Sequence, residues 1–194
     1  LMDWVMARPA FSQLREALLQ LASGEVLEIG FGTGLNLRHY PATITRLSIV
    51  DPATLLPAKV ARRMAAAPYP IQTTHVTAEN LPFPDQQFET VVSTWTLCTI
   101  PDPALALHEV GRVLKPGGRF LFLEHGRSDD RTIAVWQDRL NPIQNVMGCG
   151  CHLNRQIDRL ITQSGLSIVH LDRFSMPGVP RLAGEMYRGT ATRQ

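Results

Sequence analysis

With 194 residues, 44% of them apolar, the chain has enough material for one well-buried core and too little for two ordinary domains, so a single domain over 1–194 is expected. Its 19 basic and 17 acidic residues are interspersed and leave a net charge of +2, which provides no basic stripe for nucleic acid. The three cysteines do not make a disulfide framework, and neither a secretory leader nor an apolar run of 18 residues is present; a cytoplasmic protein without stable membrane insertion is expected.

In chain order, Asp3 to Leu21 carries an apolar stripe at helical spacing (Trp4, Phe11, Leu14, Leu18, Leu21) and stops before Gly24, so residues 1–24 are expected to form a helix that covers a ligand cleft. The strand Glu25 to Ile29 then runs into Glu28-Ile29-Gly30-Phe31-Gly32-Thr33-Gly34. Glycine has no Cβ and tolerates positive φ, so this backbone can turn sharply and bring bare N–H groups close to a ligand. A helical stretch, Leu35 to Tyr40, leads to the strand Arg46 to Val50, which ends at Asp51, where a carboxylate can accept hydrogen bonds from two ribose hydroxyls. The spacing is G-x-G-x-G rather than the dinucleotide pattern G-x-G-x-x-G. Glu28, two positions before the first glycine, would repel a pyrophosphate but can pair with an ammonium group, directly or through water. S-adenosylmethionine offers an ammonium, a sulfonium and no phosphate. For the glycines taken alone, a tight strand-to-helix turn without a ligand is the competing reading.

Further on, a helix is expected over Leu55 to Ala67, strands over Ile71 to Val76 and Thr90 to Trp95, a helix over Ala104 to Leu114 and a strand over Arg119 to Leu123. Strand and helix alternating in this way make a Rossmann-like α/β fold: a doubly wound, mostly parallel sheet with helices on both faces and its ligand crevice at the carboxyl ends of the strands. Gly30, Asp51, Glu79, Thr94 and His125 all fall at such ends. The loop Ala78-Glu79-Asn80-Leu81-Pro82-Phe83-Pro84-Asp85 is stiffened by two prolines. It can wall an adenine, with the Ala78 N–H toward a ring nitrogen, Glu79 or Asn80 toward the amino group and Leu81 in apolar contact, or it is simply a rigid loop. Lys115-Pro116-Gly117-Gly118 reads as a structural turn at the opposite edge of the sheet. Beyond it come Thr132 to Met147, interrupted by Pro142, a helix from Asn154 to Ser164 stopped by Gly165, and strands Leu166 to Leu171 and Met186 to Ala191 around the loop Ser175 to Gly184, with the C-terminal strand antiparallel. Residues 130–183 are expected on the acceptor side.

The runs Val26 to Gly34, Ala78 to Phe83 and Arg112 to Gly118 occur in the order and spacing of class I S-adenosylmethionine-dependent methyltransferases, and the chain resembles their small-molecule branch, which includes quinone-biosynthesis enzymes. Thr96-Leu97-Cys98, Leu123-Glu124-His125, Gly150 to Arg155 and Tyr187 to Ala191 are similar to the subfamily of alkyl-thiol methyltransferases. The resemblance implies that S-adenosylmethionine is converted to S-adenosylhomocysteine here. It places Gly30, Gly32 and Gly34 against the methionine and ribose, with Glu28 beneath, Asp51 on the ribose hydroxyls, Ala78 and Glu79 at the adenine and Thr94 at the methionine moiety; Phe31, Asn36 and Pro52 complete the donor-binding set. Thr77 departs from the Asp that many members carry there, and Glu89 stands where many have Asp.

Methyl transfer from a sulfonium is an in-line displacement, so the protein has mainly to align the acceptor and exclude water. A thiol is partly ionised near neutral pH, whereas a phenol or an amine needs more help. His125 is the candidate base, with an ordinary structural histidine the equal alternative; Cys98, Trp136 and Cys151 are candidates for the acceptor pocket, Cys98 also reading as a small core filler. Trp4, Phe11, Met147, Phe174, Met176 and Leu182 read as further pocket lining or as core. Arg155 reads as a holder of an anionic acceptor or as a solvated side chain. Cys149-Gly150-Cys151-His152 lacks a second Cys/His pair at usable spacing, so no metal is expected. The expected activity is methyl transfer to a small molecule, a thiol or other soft nucleophile ahead of a quinone-like phenol or lipid headgroup. A nicotinamide-dependent oxidoreductase and a non-catalytic, cofactor-binding regulator are the alternatives.

Overall fold

The computed structural model describes residues 2–54, 58–148 and 150–193. The start of the helix expected over Leu55 to Ala67 and one of the cysteines, Cys149, lie outside the described residues. The elements in order are α1 (Met2–Met6), α2 (Pro9–Leu19), β1 (Gly24–Ile29), β2 (Ile44–Val50), α3 (Ala58–Ala65), β3 (Ile71–Thr74), β4 (Phe88–Thr94), α4 (Pro103–Val113), β5 (Leu114–His125), α5 (Arg131–Met147), α6 (Ile157–Gln163), β6 (Leu166–Ser175), α7 (Arg181–Gly184) and β7 (Glu185–Arg193). They build a seven-stranded sheet of order β3-β2-β1-β4-β5-β7-β6, parallel except for β7, which runs antiparallel to both β5 and β6. The doubly wound sheet with an antiparallel C-terminal strand is as expected.

The strands of the parallel part are buried on both faces, which is why they read as continuous apolar runs. Leu27, Ile29, Val91, Phe120 and Phe122 point to the side covered by α4 and α6 through Leu107, Val110, Ile157 and Ile161. Val26, Leu47, Ile49, Val92, Leu121 and Leu123 point to the other side, under Phe11, Leu18 and Leu19 of α2 and Val60 of α3. The register then lines up the strand ends. Ile29 pairs with Val50 on one side and Ser93 on the other, and Thr94 pairs with Leu123. Gly30, Asp51 and Trp95 therefore leave the sheet at one level, with Glu124 of β5 beside them, at the point where the strand order reverses between β1 and β4.

Several local expectations are corrected. The N-terminal helix is two helices, because Pro9 holds Arg8 in an extended conformation (φ −60°, ψ 151°) and starts a new helix. Leu35 to Tyr40 forms only a 3-10 turn over Leu37–His39. Pro142 does not interrupt α5, which continues through it, and α6 begins at Ile157 rather than Asn154. Lys115 to Gly118 bulges from within β5, where the pairing jumps from Phe88↔Leu114 to Thr90↔Arg119.

Arg112, at the end of α4, holds the proline loop. Its guanidinium donates to the Leu81 and Phe83 carbonyls (2.9 and 2.8 Å) and to Glu109 and Asp85, while Glu109 accepts from the Leu81 N–H at 2.9 Å. Arg112→Ala leaves two carbonyls without their donor and should lower unfolding free energy by about 1–3 kcal/mol in a urea titration. A change below about 0.5 kcal/mol would mean that the prolines alone hold the loop.

Candidate active site at the carboxyl ends of the strands

The glycine turn adopts positive φ at Gly30 (+71°), Gly32 (+56°) and Gly34 (+71°). At Gly30 a Cβ would lie 2.2 Å from the Thr96 side chain, so nothing larger fits between the turn and the loop after β4; at Gly32 a Cβ would meet nothing within 4 Å, because that backbone faces open space. Asp51 closes the turn from β2: one carboxylate oxygen accepts from the Gly32 N–H at 2.8 Å and the other from the Ala53 N–H at 2.9 Å. Pro52 beside it is exposed and Phe31 is buried in the core under the turn.

Glu28 sits beneath this turn, 1% exposed. Its two oxygens accept from Asn36 Nδ2 (2.9 Å) and the Tyr40 hydroxyl (2.7 Å), and Asn36 Nδ2 also donates to Thr94 Oγ1 at 3.0 Å. The carboxylate thus ties β1, the segment after the glycines and the end of β4 into one buried unit. Burial pushes its pKa up to about 7 against these two hydrogen bonds, with the Arg15 charge also pulling down and Asp51 pushing up. The Asn36 side-chain oxygen is buried with no hydrogen-bond partner among the described residues.

Trp95, the residue after β4, takes positive φ (+50°), a conformation that costs a bulky side chain energy and clusters at functional sites. Its ring packs on Phe11 of α2 and carries the Arg15 guanidinium 4.6 Å from its centroid. α1 is fastened over the turn by Asp3, which pairs with Lys59 (2.9 Å) and Arg63 (3.2 Å); Arg63 also donates to the Thr33 carbonyl at 2.6 Å. In the loop after β3 Ala78 is buried and Glu79, half-buried, accepts from the Asp102 N–H at 3.3 Å. Thr77 is exposed, and Glu89 lies at the other end of the sheet, where it accepts from the Glu25 N–H and pairs with Lys115.

The second buried carboxylate, Glu124, is fully enclosed; it accepts from Ser93 Oγ (2.6 Å) and the Thr96 N–H (2.9 Å), and burial raises its pKa to about 7. Next to it His125, 8% exposed, turns the other way and meets Cys151, with 2.9 Å between Nε2 and Sγ. The sulfur of Cys98, from the loop after β4, completes a group whose donor atoms all lie within 4.8 Å of one another. The Cys151 thiol is pushed down to about 4 by a hydrogen bond from Cys98 and then by His125. Cys98, the donor of that bond and buried, moves well above its usual value. Burial alone would lower His125, but the hydrogen bond and charge of Cys151 raise it.

Of the residues singled out in the sequence, the structure brings Cys98, His125 and Cys151 together and places Trp136 apart, 48% exposed on α5 with Arg139 over its ring at 5.5 Å. Phe11 and Met176 are core and Phe174 packs against it, whereas Trp4 and Met147 are exposed. Arg155 is half-buried and donates to the Leu97 carbonyl. Tyr40, Trp95, Thr96 and Arg15 were not anticipated. Arg15, a charge at 5% exposure on the covered face of α2, was the one signal in the pattern.

The fold and the strand-end cradle define a nucleoside-binding α/β protein of the doubly wound class. The chain matches the family model described as a methyltransferase domain over residues 27–122. It is 35% identical over 171 residues to thiol S-methyltransferase TMT1B of Rattus norvegicus, covering 85% of this chain and 69% of that protein. It is 30% identical over 174 residues to thiol S-methyltransferase TMT1A of Homo sapiens, covering 88% and 71%. Among solved structures, N-methyltransferase NodS of Bradyrhizobium japonicum in complex with S-adenosyl-L-homocysteine has the same fold, with a TM-score of 0.73 at 16% identity over 98% of this chain and 91% of that one. The chain belongs to the class I S-adenosylmethionine-dependent methyltransferases, in the branch whose named relatives methylate small molecules. It is an enzyme whose methyl donor is S-adenosylmethionine, and the cradle fits that donor: open space before Gly32, a half-exposed Asp51 and an orphaned acceptor on Asn36 suited to a cationic group.

Because Glu28 has a raised pKa in the folded state, its proton stabilises the fold fully below about 4.5 and this contribution is lost as pH rises through about 7. In Glu28→Gln the unfolding free energy relative to the unsubstituted protein should shift in favour of the variant from pH 5 to 7.5, by at most about 1.4 kcal/mol per pH unit. A difference independent of pH in urea titrations would contradict a protonated Glu28.

Proposed function

We propose that this enzyme methylates the sulfur of a small thiol. The reading is carried by the buried group Cys98, His125 and Cys151 at the ends of β4 and β5, one strand away from the donor cradle. The thiol S-methyltransferases related to it over most of its length support the same acceptor class. When bound, S-adenosylmethionine supplies an electrophilic methyl group on a sulfonium. The remaining contributions come from the chain. Gly30, Phe31, Gly32 and Gly34 shape the turn against the methionine and ribose; Glu28 and Asn36 support it; Asp51 and Pro52 stand at the ribose, Ala78 and Glu79 at the adenine, and Thr94 at the methionine end. Asp51 is positioned for the ribose by its bonds to Gly32 and Ala53. Helix α2 excludes water over Trp95, and His125 is the catalytic candidate that promotes loss of the acceptor proton. Cys98 and Cys151 border the acceptor.

Interspersed charge supports a small molecule over nucleic acid, and the unpaired Cys98 and Cys151 accord with a reducing, cytoplasmic setting. Among the described residues no helix is long and apolar enough to cross a membrane.

Calorimetry should give binding of S-adenosylmethionine and S-adenosylhomocysteine and none of NAD, and Asp51→Ala should weaken the S-adenosyl ligands about 10–100-fold, the loss of hydrogen bonds to a charged acceptor. In a turnover screen that follows S-adenosylhomocysteine, small thiols should react and His125→Asn should depress the rate. Turnover with phenols or amines and with no thiol would overturn the acceptor class.

A further inference from the structure

The chain spacing of the cysteines and histidines argues against a metal, but the fold assembles donors that are far apart in sequence. Cys98 comes from the loop after β4, His125 from the last position of β5 and Cys151 from the loop after α5; two are buried and the third is half-buried. Three well-placed features distinguish this group from ordinary core. First, the two histidines of the region differ: His152 has both ring nitrogens bonded, to Asn141 (3.2 Å) and Asn145 (3.0 Å), as a structural histidine should. His125 has one nitrogen on the Cys151 sulfur and the other buried with no hydrogen-bond partner among the described residues, so the described hydrogen bonds do not account for its position. Second, the loop that delivers Cys151 is fixed on both sides of it. The His152 N–H donates to the Cys98 carbonyl at 2.8 Å, the Leu153 N–H to Asn141 Oδ1 at 2.8 Å, the Gly150 N–H to the Asn145 carbonyl at 2.8 Å, and Arg155 to the Leu97 carbonyl. Third, the donor atoms lie within 4.8 Å of one another, whereas tetrahedral zinc needs ligand atoms about 3.5–3.8 Å apart, so small side-chain rotations suffice.

We propose that Cys98, His125 and Cys151 form a zinc site of the catalytic kind, whose fourth position takes the sulfur of the thiol acceptor. Two thiolates and an imidazole suit a borderline-soft divalent cation, and three protein ligands leave one position open. Two thiolates neutralise the ion, and the Arg155 guanidinium, whose charge acts on both cysteines, offsets the negative charge that the acceptor thiolate adds. The inference rests on the thiol reading above and deepens it. The acceptor R–SH binds zinc and releases its proton to solvent; its sulfur electron pair forms the new bond to the methyl carbon; the bond from that carbon to the donor sulfonium breaks, leaving its electron pair on the donor sulfur. S-adenosylhomocysteine and the neutral thioether R–S–CH₃ result, with no redox change, and the thioether is the poorer zinc ligand and leaves. In this form His125 promotes proton loss as a ligand.

The test uses the full chain purified without chelators. Elemental analysis should find one zinc per chain, and replacement by cobalt should give a thiolate-to-metal charge-transfer band in the near ultraviolet. That spectrum needs no variant, so it holds whether or not substituted proteins fold. Cys98→Ser, His125→Asn and Cys151→Ser should each weaken zinc more than about 100-fold in competition with a chromophoric chelator, beyond the 10–100-fold that loss of a mere supporting contact costs, while S-adenosylhomocysteine affinity reports that the fold is kept. Absence of zinc and of the charge-transfer band, or a Cys98–Cys151 disulfide in the protein as purified, would overturn the site. Equal thiol turnover by zinc-free and zinc-loaded protein would overturn its role while leaving the thiol reading intact. Zinc held by these residues with no thiol turnover would support the metal site and overturn the acceptor class instead.

Discussion

The donor end of this enzyme depends on one buried carboxylate. Glu28 is placed by strand alternation on the face of β1 that α2 covers, and it spends both oxygens on Asn36 and Tyr40. Asn36 in turn reaches Thr94 on β4, so a single acidic group couples the strand before the glycines, the segment after them and the neighbouring strand across the switch point. The cost of burying it appears as a pKa near 7. That cost is tolerated because the turn has few other means of holding its shape: three of its residues lack side chains.

Glu124 repeats the arrangement on β5. It is enclosed on the opposite face of the sheet and binds the backbone of Thr96, and Thr96 in turn packs into the space left by Gly30. The two carboxylates therefore grip the loop after β4 from its two ends, Glu28 through Asn36 to Thr94 and Glu124 to Thr96. Between them Trp95 is held at positive φ under Phe11 and Arg15. Strain at one residue is sustained by buried hydrogen bonds on either side of it, and helix α2 lies on the same residue.

The proposed acceptor end is organised differently. Two of its groups, Cys98 and Cys151, come from loops and His125 from the end of β5, and side chains on α5 fix the surrounding chain: Asn141 and Asn145 secure His152 and Leu153, while Gln137, fully buried, bonds to Ser128, Gly126 and Leu182 and holds the chain as it leaves β5. One helix thus positions both the segment after His125 and the one that carries Cys151. Variation of acceptor chemistry within such a fold requires change only at this end, because the donor cradle belongs to β1, β2 and β4.

Most of the sheet was legible in the chain, since buried parallel strands leave apolar runs and helices leave a 3.6-residue stripe, and the cradle was legible because glycine spacing, Glu28 and Asp51 are contiguous or separated by one strand–helix unit. Local errors arose at prolines: Pro9 starts a new helix, a favoured place for proline, and α5 passes through Pro142, where a break is the usual outcome. What the sequence alone determined was the fold class and the methyl donor. The short runs around Cys98, His125 and Cys151 marked these residues for the acceptor side, but that their side chains meet, the fastening of Trp95 and the pairing of Glu124 with Thr96 were decided only by the tertiary structure, because strand register and loop packing place side by side residues that are far apart in the chain.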